Sequence, residues 1–128
     1  MTDGGRQKDG STPGLRKAAV LSVDAIDGGC IVRLAGELDL YNATDVRKAL
    51  SEAAADKPQR VIVDLSEVEF IDSTALGVLI EASTKLPNRK GFLLAGPGLE
   101  TRRALEISGL DRHFAVHASV DEALAASA

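Results

Sequence analysis

Five residues, Val61-Ile62-Val63-Asp64-Leu65, leave this chain few folds to choose from. An unbroken apolar run such as Val61 to Val63 reads as a strand buried on both faces, the pattern of a parallel sheet covered by helices. Phe92 to Ala95 is a second run of this kind, broken by Gly96-Pro97-Gly98. Each run is followed by apolar residues at helical spacing. Leu76, Leu79, Ile80 and Ser83 outline a helix that stops before Pro87, and Ala104, Leu105, Ile107 and Ser108 outline another closed by Gly109. Strands alternating with helices imply right-handed parallel crossovers.

The flanking segments complete the pattern. Leu21, Val23 and Ala25 alternate with Ser22 and Asp24, which predicts a half-exposed strand. Asp27-Gly28-Gly29 supplies a tight turn, and Cys30 to Ala35 returns as a second strand, making an antiparallel hairpin. A loop after Gly36 leads to Asn42, the expected N-cap of a helix carrying Val46, Ala49, Leu50, Ala53 and Ala54, with Pro58 ending that connection. Ser66 to Asp72 reads as a loop interrupted by Val68, Phe70 and Ile71. Phe114 and Val116 suggest a last strand, and Val120 to Ala126 a closing helix. The fold class expected is α/β: one domain with a mixed, mostly parallel sheet opened by an antiparallel hairpin, and about four helices.

Residues 1–17 stand apart from this pattern. They hold Pro13, four basic residues and only Met1 and Leu15 as apolar anchors, too little to offset the entropy of ordering. A flexible tail over 1–17 and a folded domain over 18–128 are expected. The net charge of −4 argues against nonspecific nucleic-acid binding over the whole surface. A single cysteine, Cys30, can form no internal disulfide and is expected as a buried, inert thiol. No apolar run reaches the ~18 residues of a membrane span, and the first seventeen residues lack the apolar stretch of a signal peptide. A cytoplasmic protein without membrane attachment is the expectation.

Loops after parallel strands leave from one rim of the sheet, where open α/β proteins bind their partners. Three are expected to meet there: Gly36 to Tyr41, Ser66 to Ser73, and Gly96 to Leu99. Ser73 opens the second helix, where its hydroxyl is expected to accept a backbone N–H as a cap. A phosphate on Ser73 would meet a helix N-terminus that favours negative charge, so the fold should tolerate it. It would also add about −1.5 to −2 charges beside Asp72 and the Glu37/Asp39 loop, changing what can dock there.

Catalysis finds no support in the chain. Ser73 lacks a Gly-x-Ser-x-Gly elbow, and no phosphate-cradling Gly-x-x-x-x-Gly-Lys-Ser/Thr occurs. His113 and His117 share parity with Ala115 and read as the exposed face of a strand. Asp64, Glu67, Glu69 and Asp72 read as a solvated acidic rim, and Arg102-Arg103 as a solvated helix face. Neither a metal nor a cofactor is expected.

Three stretches at fixed spacing carry a resemblance: Gly36-Glu37-Leu38-Asp39, then Val61 to Ser66, then Phe70-Ile71-Asp72-Ser73-Thr74-Ala75-Leu76-Gly77-Val78-Leu79. With Leu105 to Leu110 and Phe114, they resemble the STAS domain of bacterial anti-sigma factor antagonists over about residues 18–126. The resemblance implies partner switching. The unphosphorylated antagonist binds an anti-sigma factor that is also a serine kinase, which frees a sigma factor. Phosphorylation by that kinase ends the binding, and a metal-dependent serine phosphatase restores it. By the same resemblance Ser73 is the phosphoacceptor and Asp72 the acid before it. Glu37 and Asp39 form the acidic loop beside the site, Thr74 and Leu76 belong to the partner-binding stretch, and Gly77 is the small residue that lets the helix sit close to its neighbour. Ala75 departs from a Gly common at that position, which implies a stiffer helix start. The other reading is a STAS scaffold or accessory subunit of a stress-signalling or transporter complex, and a third is small-ligand binding at the rim.

Overall fold

The computed structural model describes residues 18–126, so the expected tail lies outside the described residues. The elements follow in the order β1 (Val20–Ile26), β2 (Gly29–Leu38), α1 (Ala43–Ala54), β3 (Arg60–Ile71), α2 (Ser73–Ser83), β4 (Phe92–Ala95), α3 (Leu99–Ser108), β5 (Ala115–His117) and α4 (Val120–Ala126), with a 3-10 turn at Arg89–Gly91. The sheet order is β1-β2-β3-β4-β5. β1 and β2 are antiparallel, and every later pairing is parallel.

The two faces of the sheet are covered unequally. Leu50 of α1, Leu79 of α2 and Leu105 of α3 join Val32, Val61, Val63 and Leu94 in the larger core. On the other face Ala123 of α4 packs with Ile31, Ile62, Leu93 and Ala95. This is why Val61-Ile62-Val63 is apolar throughout: adjacent residues point to opposite faces, and both faces are buried. Backbone approach is closest at the start of β3. A Cβ on Gly29 would lie 1.7 Å from the Arg60 carbonyl oxygen, and one on Gly91 would lie 2.0 Å from that of Gln59. Both positions therefore exclude a side chain.

The stretch Ser66 to Ile71 is not a loop. It is the second half of β3, which pairs with β2 as Ala35↔Glu67, Gly36↔Val68, Glu37↔Phe70 and Leu38↔Ile71. β2 likewise runs past Ala35 to Leu38. Alternation fails here because the register shifts twice, between Arg33 and Ala35 and between Gly36 and Glu37. Such shifts disturb the strict period of two. Pairing with β4 ends at Asp64↔Ala95. The last seven residues of β3 therefore carry its end roughly 20 Å further along the strand.

That extension corrects the expected meeting of three loops. The turns after β2 and β3 come together at the far end of the ribbon. The Gly96 turn stays at its base, where a Cβ on Gly96 would lie 3.2 Å from Ser66 Cβ. The last strand is also shorter than expected. Phe114 precedes it, buried with its ring centroid 5.7 Å from that of Phe92. His113 lies outside β5, edge-on to Phe114 and within 3.2 Å of the Arg89 guanidinium, while His117 is half-buried in the strand.

Candidate partner-binding site

At the far end of the β2–β3 ribbon, residues 39–42 connect β2 to α1, and Asp72 alone connects β3 to α2. Asp72 is extended, with φ −99° and ψ 178°, the conformation of an N-cap. Its Oδ1 accepts a hydrogen bond from Ala75 N at 3.0 Å. Its Oδ2 accepts one from Leu40 N at 3.1 Å. Its own N–H donates to Leu38 O at 3.0 Å. One residue thus caps α2 and fastens the neighbouring loop to it.

The cap assignment to Ser73 is corrected by this geometry. Ser73 is the first helical residue, and Asp72 performs the capping. The Ser73 side chain is left exposed on the rim, with Thr74 exposed beside it. Asn42 also differs from its expected role. It stands before α1 but makes no side-chain cap. Its Oδ1 accepts from Asp39 N at 2.9 Å, and its Nδ2 donates to Glu37 O at 2.7 Å. Asp39 Oδ1 in turn accepts from Tyr41 N at 3.0 Å. The loop holding Glu37 and Asp39 is shaped by these internal bonds and then tied to α2 through Leu40.

Two further expectations need correction. Leu76 is only 8% exposed and belongs to the core, because it lies on the face of α2 turned to the sheet. Gly77 is exposed, and a Cβ built there finds no atom within 4 Å. Its small size does not serve packing against a neighbour among the described residues. It keeps the outer face of α2 low, one turn beyond Ser73.

Around these residues lie apolar side chains that the sequence reading did not select. Tyr41 is 84% exposed, Leu40 65% and Phe70 50%. Phe70 is paired in register with Glu37, while Leu40 and Tyr41 directly follow Asp39. The available signal was a Leu-Tyr pair placed in a polar turn. Exposed aromatic and aliphatic side chains beside charges are the composition of a docking surface.

The buried acid of β3 has protein partners. Asp64 is buried, with Oδ2 2.7 Å from Arg33 Nη1 and Oδ1 accepting from Ser66 N at 3.0 Å. Arg33 is held above its ordinary pKa, chiefly by its hydrogen bond to Asp24, with Asp64 adding to it. Among the described residues no group of three His, Cys, Asp or Glu side chains is placed to hold a metal ion. Nor is any helix there long and apolar enough to cross a membrane. Cys30, at the opposite end of β2, is buried, and burial raises its thiol pKa.

Comparison with known proteins bears on the same region. The STAS domain profile matches residues 20–123. The anti-sigma-F factor antagonist RsfB of Mycobacterium tuberculosis is 34% identical over 98 residues, covering 77% of this chain and 80% of the relative. The anti-sigma-B factor antagonist of Listeria monocytogenes is 39% identical over 79 residues, covering 60% of this chain and 68% of that protein. Among solved structures, an anti-sigma factor antagonist from Mycobacterium paratuberculosis superposes with a TM-score of 0.78 at 35% identity, covering 84% of this chain and 92% of that one. Profile, sequence and backbone agree: the chain belongs to the STAS domain family of anti-sigma factor antagonists, regulators that act by binding and not by catalysis.

Proposed function

We propose that this protein works as a phosphorylation-gated partner switch. In its unphosphorylated form it binds an anti-sigma factor that is also a serine kinase, and so frees a sigma factor for transcription. Phosphorylation of Ser73 abolishes that binding, and a serine phosphatase restores it. The observation that supports this reading is the exposed Ser73 hydroxyl at the first turn of α2, with Asp72 capping the helix in its place. A phosphate can be added there without breaking the cap, and it meets the favourable end of the helix dipole. The same phosphate would stand next to Asp72 and the Glu37/Asp39 loop, so the outer surface becomes far more negative while the fold changes little. A partner that docks on a neutral hydroxyl then meets a dianion, and a loss of a few kcal/mol weakens binding on the order of 100-fold.

The test is mass spectrometry of the intact protein and its peptides after incubation with ATP, magnesium and host-cell extract. One phosphate on Ser73 is expected, absent from Ser73→Ala and removed by a serine phosphatase. Ser73→Ala should keep binding the anti-sigma factor after such treatment, and Ser73→Asp should bind it on the order of 100-fold more weakly. A phosphate on Thr74 alone would overturn the assignment. Equal binding by wild type, Ser73→Ala and Ser73→Asp would overturn the mechanism and leave the scaffold reading in its place.

A further inference from the structure

One edge of the sheet is closed by short β5 and the helix that follows it. The other edge is β1, seven residues long, carrying Leu21 at 52% and Val23 at 50% exposure. Long, apolar edge strands are the parts of a sheet that pair with other chains. The register of β1 decides which of its backbone groups are available. The two-residue turn Asp27-Gly28 makes Ile26↔Gly29 the closing hydrogen-bonded pair, and in an antiparallel ladder such pairs recur at every second residue. Asp24 and Ser22 therefore address β2. Val23 and Ala25 turn their N–H and C=O groups outward, and the regular ladder is bounded by the register shift between Val20 and Ser22, where Leu21 sits.

From this register we infer that the β1 edge is a self-association surface, on which a second copy of this chain adds its own β1 antiparallel about Val23. Centred there, the strand is complementary to itself. Val23 opposes Val23, Ser22 opposes Asp24, and Leu21, at the edge of the bulge, opposes Ala25. The central Val23 pair exchanges both outward backbone bonds within the regular part of the strand, so the ladder of one sheet continues into the next. No acid faces an acid: Asp24 meets a serine hydroxyl, and within its own chain it is already paired with Arg33 at 3.1 Å. Centring on Asp24 would set that carboxylate against itself and present backbone groups that point the wrong way. Side-chain size also matches. Leu21 of the second copy lies over small Ala25, beside a recess of about 580 Å³ lined by Val23, Cys30, Ala53 and Pro58. β1 stands two strands away from β3, whose end carries Ser73.

Sedimentation velocity on the full chain, from about 10 µM to about 1 mM because an interface this small is weak, provides the test. The mass is expected to rise from 13.4 kDa toward twice that value. Val23→Pro removes an N–H that faces away from β2 and should stay monomeric at the top concentration. Val23→Lys, which keeps the backbone, should do the same and carries the test if the proline variant does not fold. Ile107→Lys alters an apolar side chain 88% exposed on α3 and should dimerise as wild type does. Amide exchange reads the register directly. Val23 and Ala25 amides should gain protection as concentration rises, while those of Ser22 and Asp24 are protected throughout. A monomer at about 1 mM overturns the inference, as does dimerisation that survives both Val23 variants or is lost in Ile107→Lys. A monomer with Val23 and Ala25 protected at every concentration also overturns it, and assigns the edge to a segment of the same chain.

Discussion

The starts of α1 and α2 lie side by side on one rim, each preceded by a side chain that can cap a helix, and they use those side chains differently. Asn42 turns away from α1. Its amide accepts from Asp39 N and donates to Glu37 O, which closes the loop behind it. Asp72 faces forward and sideways at once, capping α2 through Ala75 N and reaching the other loop through Leu40 N. The difference is chemical. A carboxylate offers two acceptors, so it can serve two backbone donors. A carboxamide offers a donor and an acceptor, so it suits a loop with a free N–H on one side and a free C=O on the other. The result is one helix start whose side chains are absorbed in shaping a loop, and another where the following hydroxyl, Ser73, is left on the surface. A hydroxyl that makes no cap can be modified or contacted without costing the helix its cap.

The largest effect should come from filling the low face of α2. Gly77→Arg places a long cation where a Cβ meets nothing within 4 Å. Stability should hold or rise by about 0.5–1 kcal/mol, since glycine is a poor residue inside a helix. Binding to the anti-sigma factor should fall by 100-fold or more, as roughly 3 kcal/mol is a modest loss for a blocked interface centre. Titration calorimetry with thermal denaturation separates the two quantities. Unchanged affinity would remove the outer face of α2 from the docking surface and leave the loop and ribbon to carry it.

Next in size is Asp72→Ala, which removes a cap worth about 1 kcal/mol and a charged hydrogen bond across to Leu40 worth about the same. A loss near 2 kcal/mol is expected by urea denaturation. Asp72→Asn retains one acceptor in place of two and should lose about half as much. If the two variants cost the same, the link to Leu40 contributes nothing, and the contrast between the two helix starts reduces to an ordinary cap.

How much of this was legible depended on burial. Val61 to Leu65 and Phe92 to Ala95 announced a parallel sheet because a strand covered on both faces leaves no polar alternation to confuse the reading. The second half of β3 was not legible. Val68 and Ile71 are buried while Glu67, Glu69 and Phe70 are exposed, and two register shifts in its partner break the period. Ser73 was placed correctly at a helix start, but Asp72 and Ser73 are both capping residue types. Only the backbone tells which of them is extended and which is helical. Leu76 and Gly77 were assigned by likeness to a motif, and a motif does not say which side of a helix faces the sheet. Tyr41 and Phe70 illustrate the reverse: they are apolar residues whose exposure becomes visible only once the ribbon is built.

A smaller effect tests the Asn42 half of the comparison. Asn42→Ala should cost about 1 kcal/mol through two lost hydrogen bonds on a partly exposed loop. Asn42→Asp is the sharper variant. At an ordinary N-cap, Asn and Asp are nearly equivalent, so a capping role predicts no change. Here the aspartate would keep the bond from Asp39 N but turn an acceptor toward Glu37 O, so it should be destabilising. A neutral result would show that residue 42 can swing forward to cap α1.

The smallest effect lies at the other end of β2, away from both helix starts, and serves as their control. Burial raises the Cys30 thiol above its ordinary value of 9.0. As pH climbs past that value the unfolded chain loses this proton before the native protein does, so the unfolded state binds fewer protons and stability falls. The contribution is constant below that range and declines through the alkaline region up to the folded pKa. Other groups titrate there too, so the informative quantity is the difference between wild type and Cys30→Ala across about pH 8 to about pH 10.5. That difference should shrink in wild type's disfavour as pH rises. Distant, unconnected sites add, so the same slope should appear in a Ser73→Asp background. A slope that changes with Ser73 would mean that charge at the rim reaches the far end of β2, and the two ends could no longer be treated as independent.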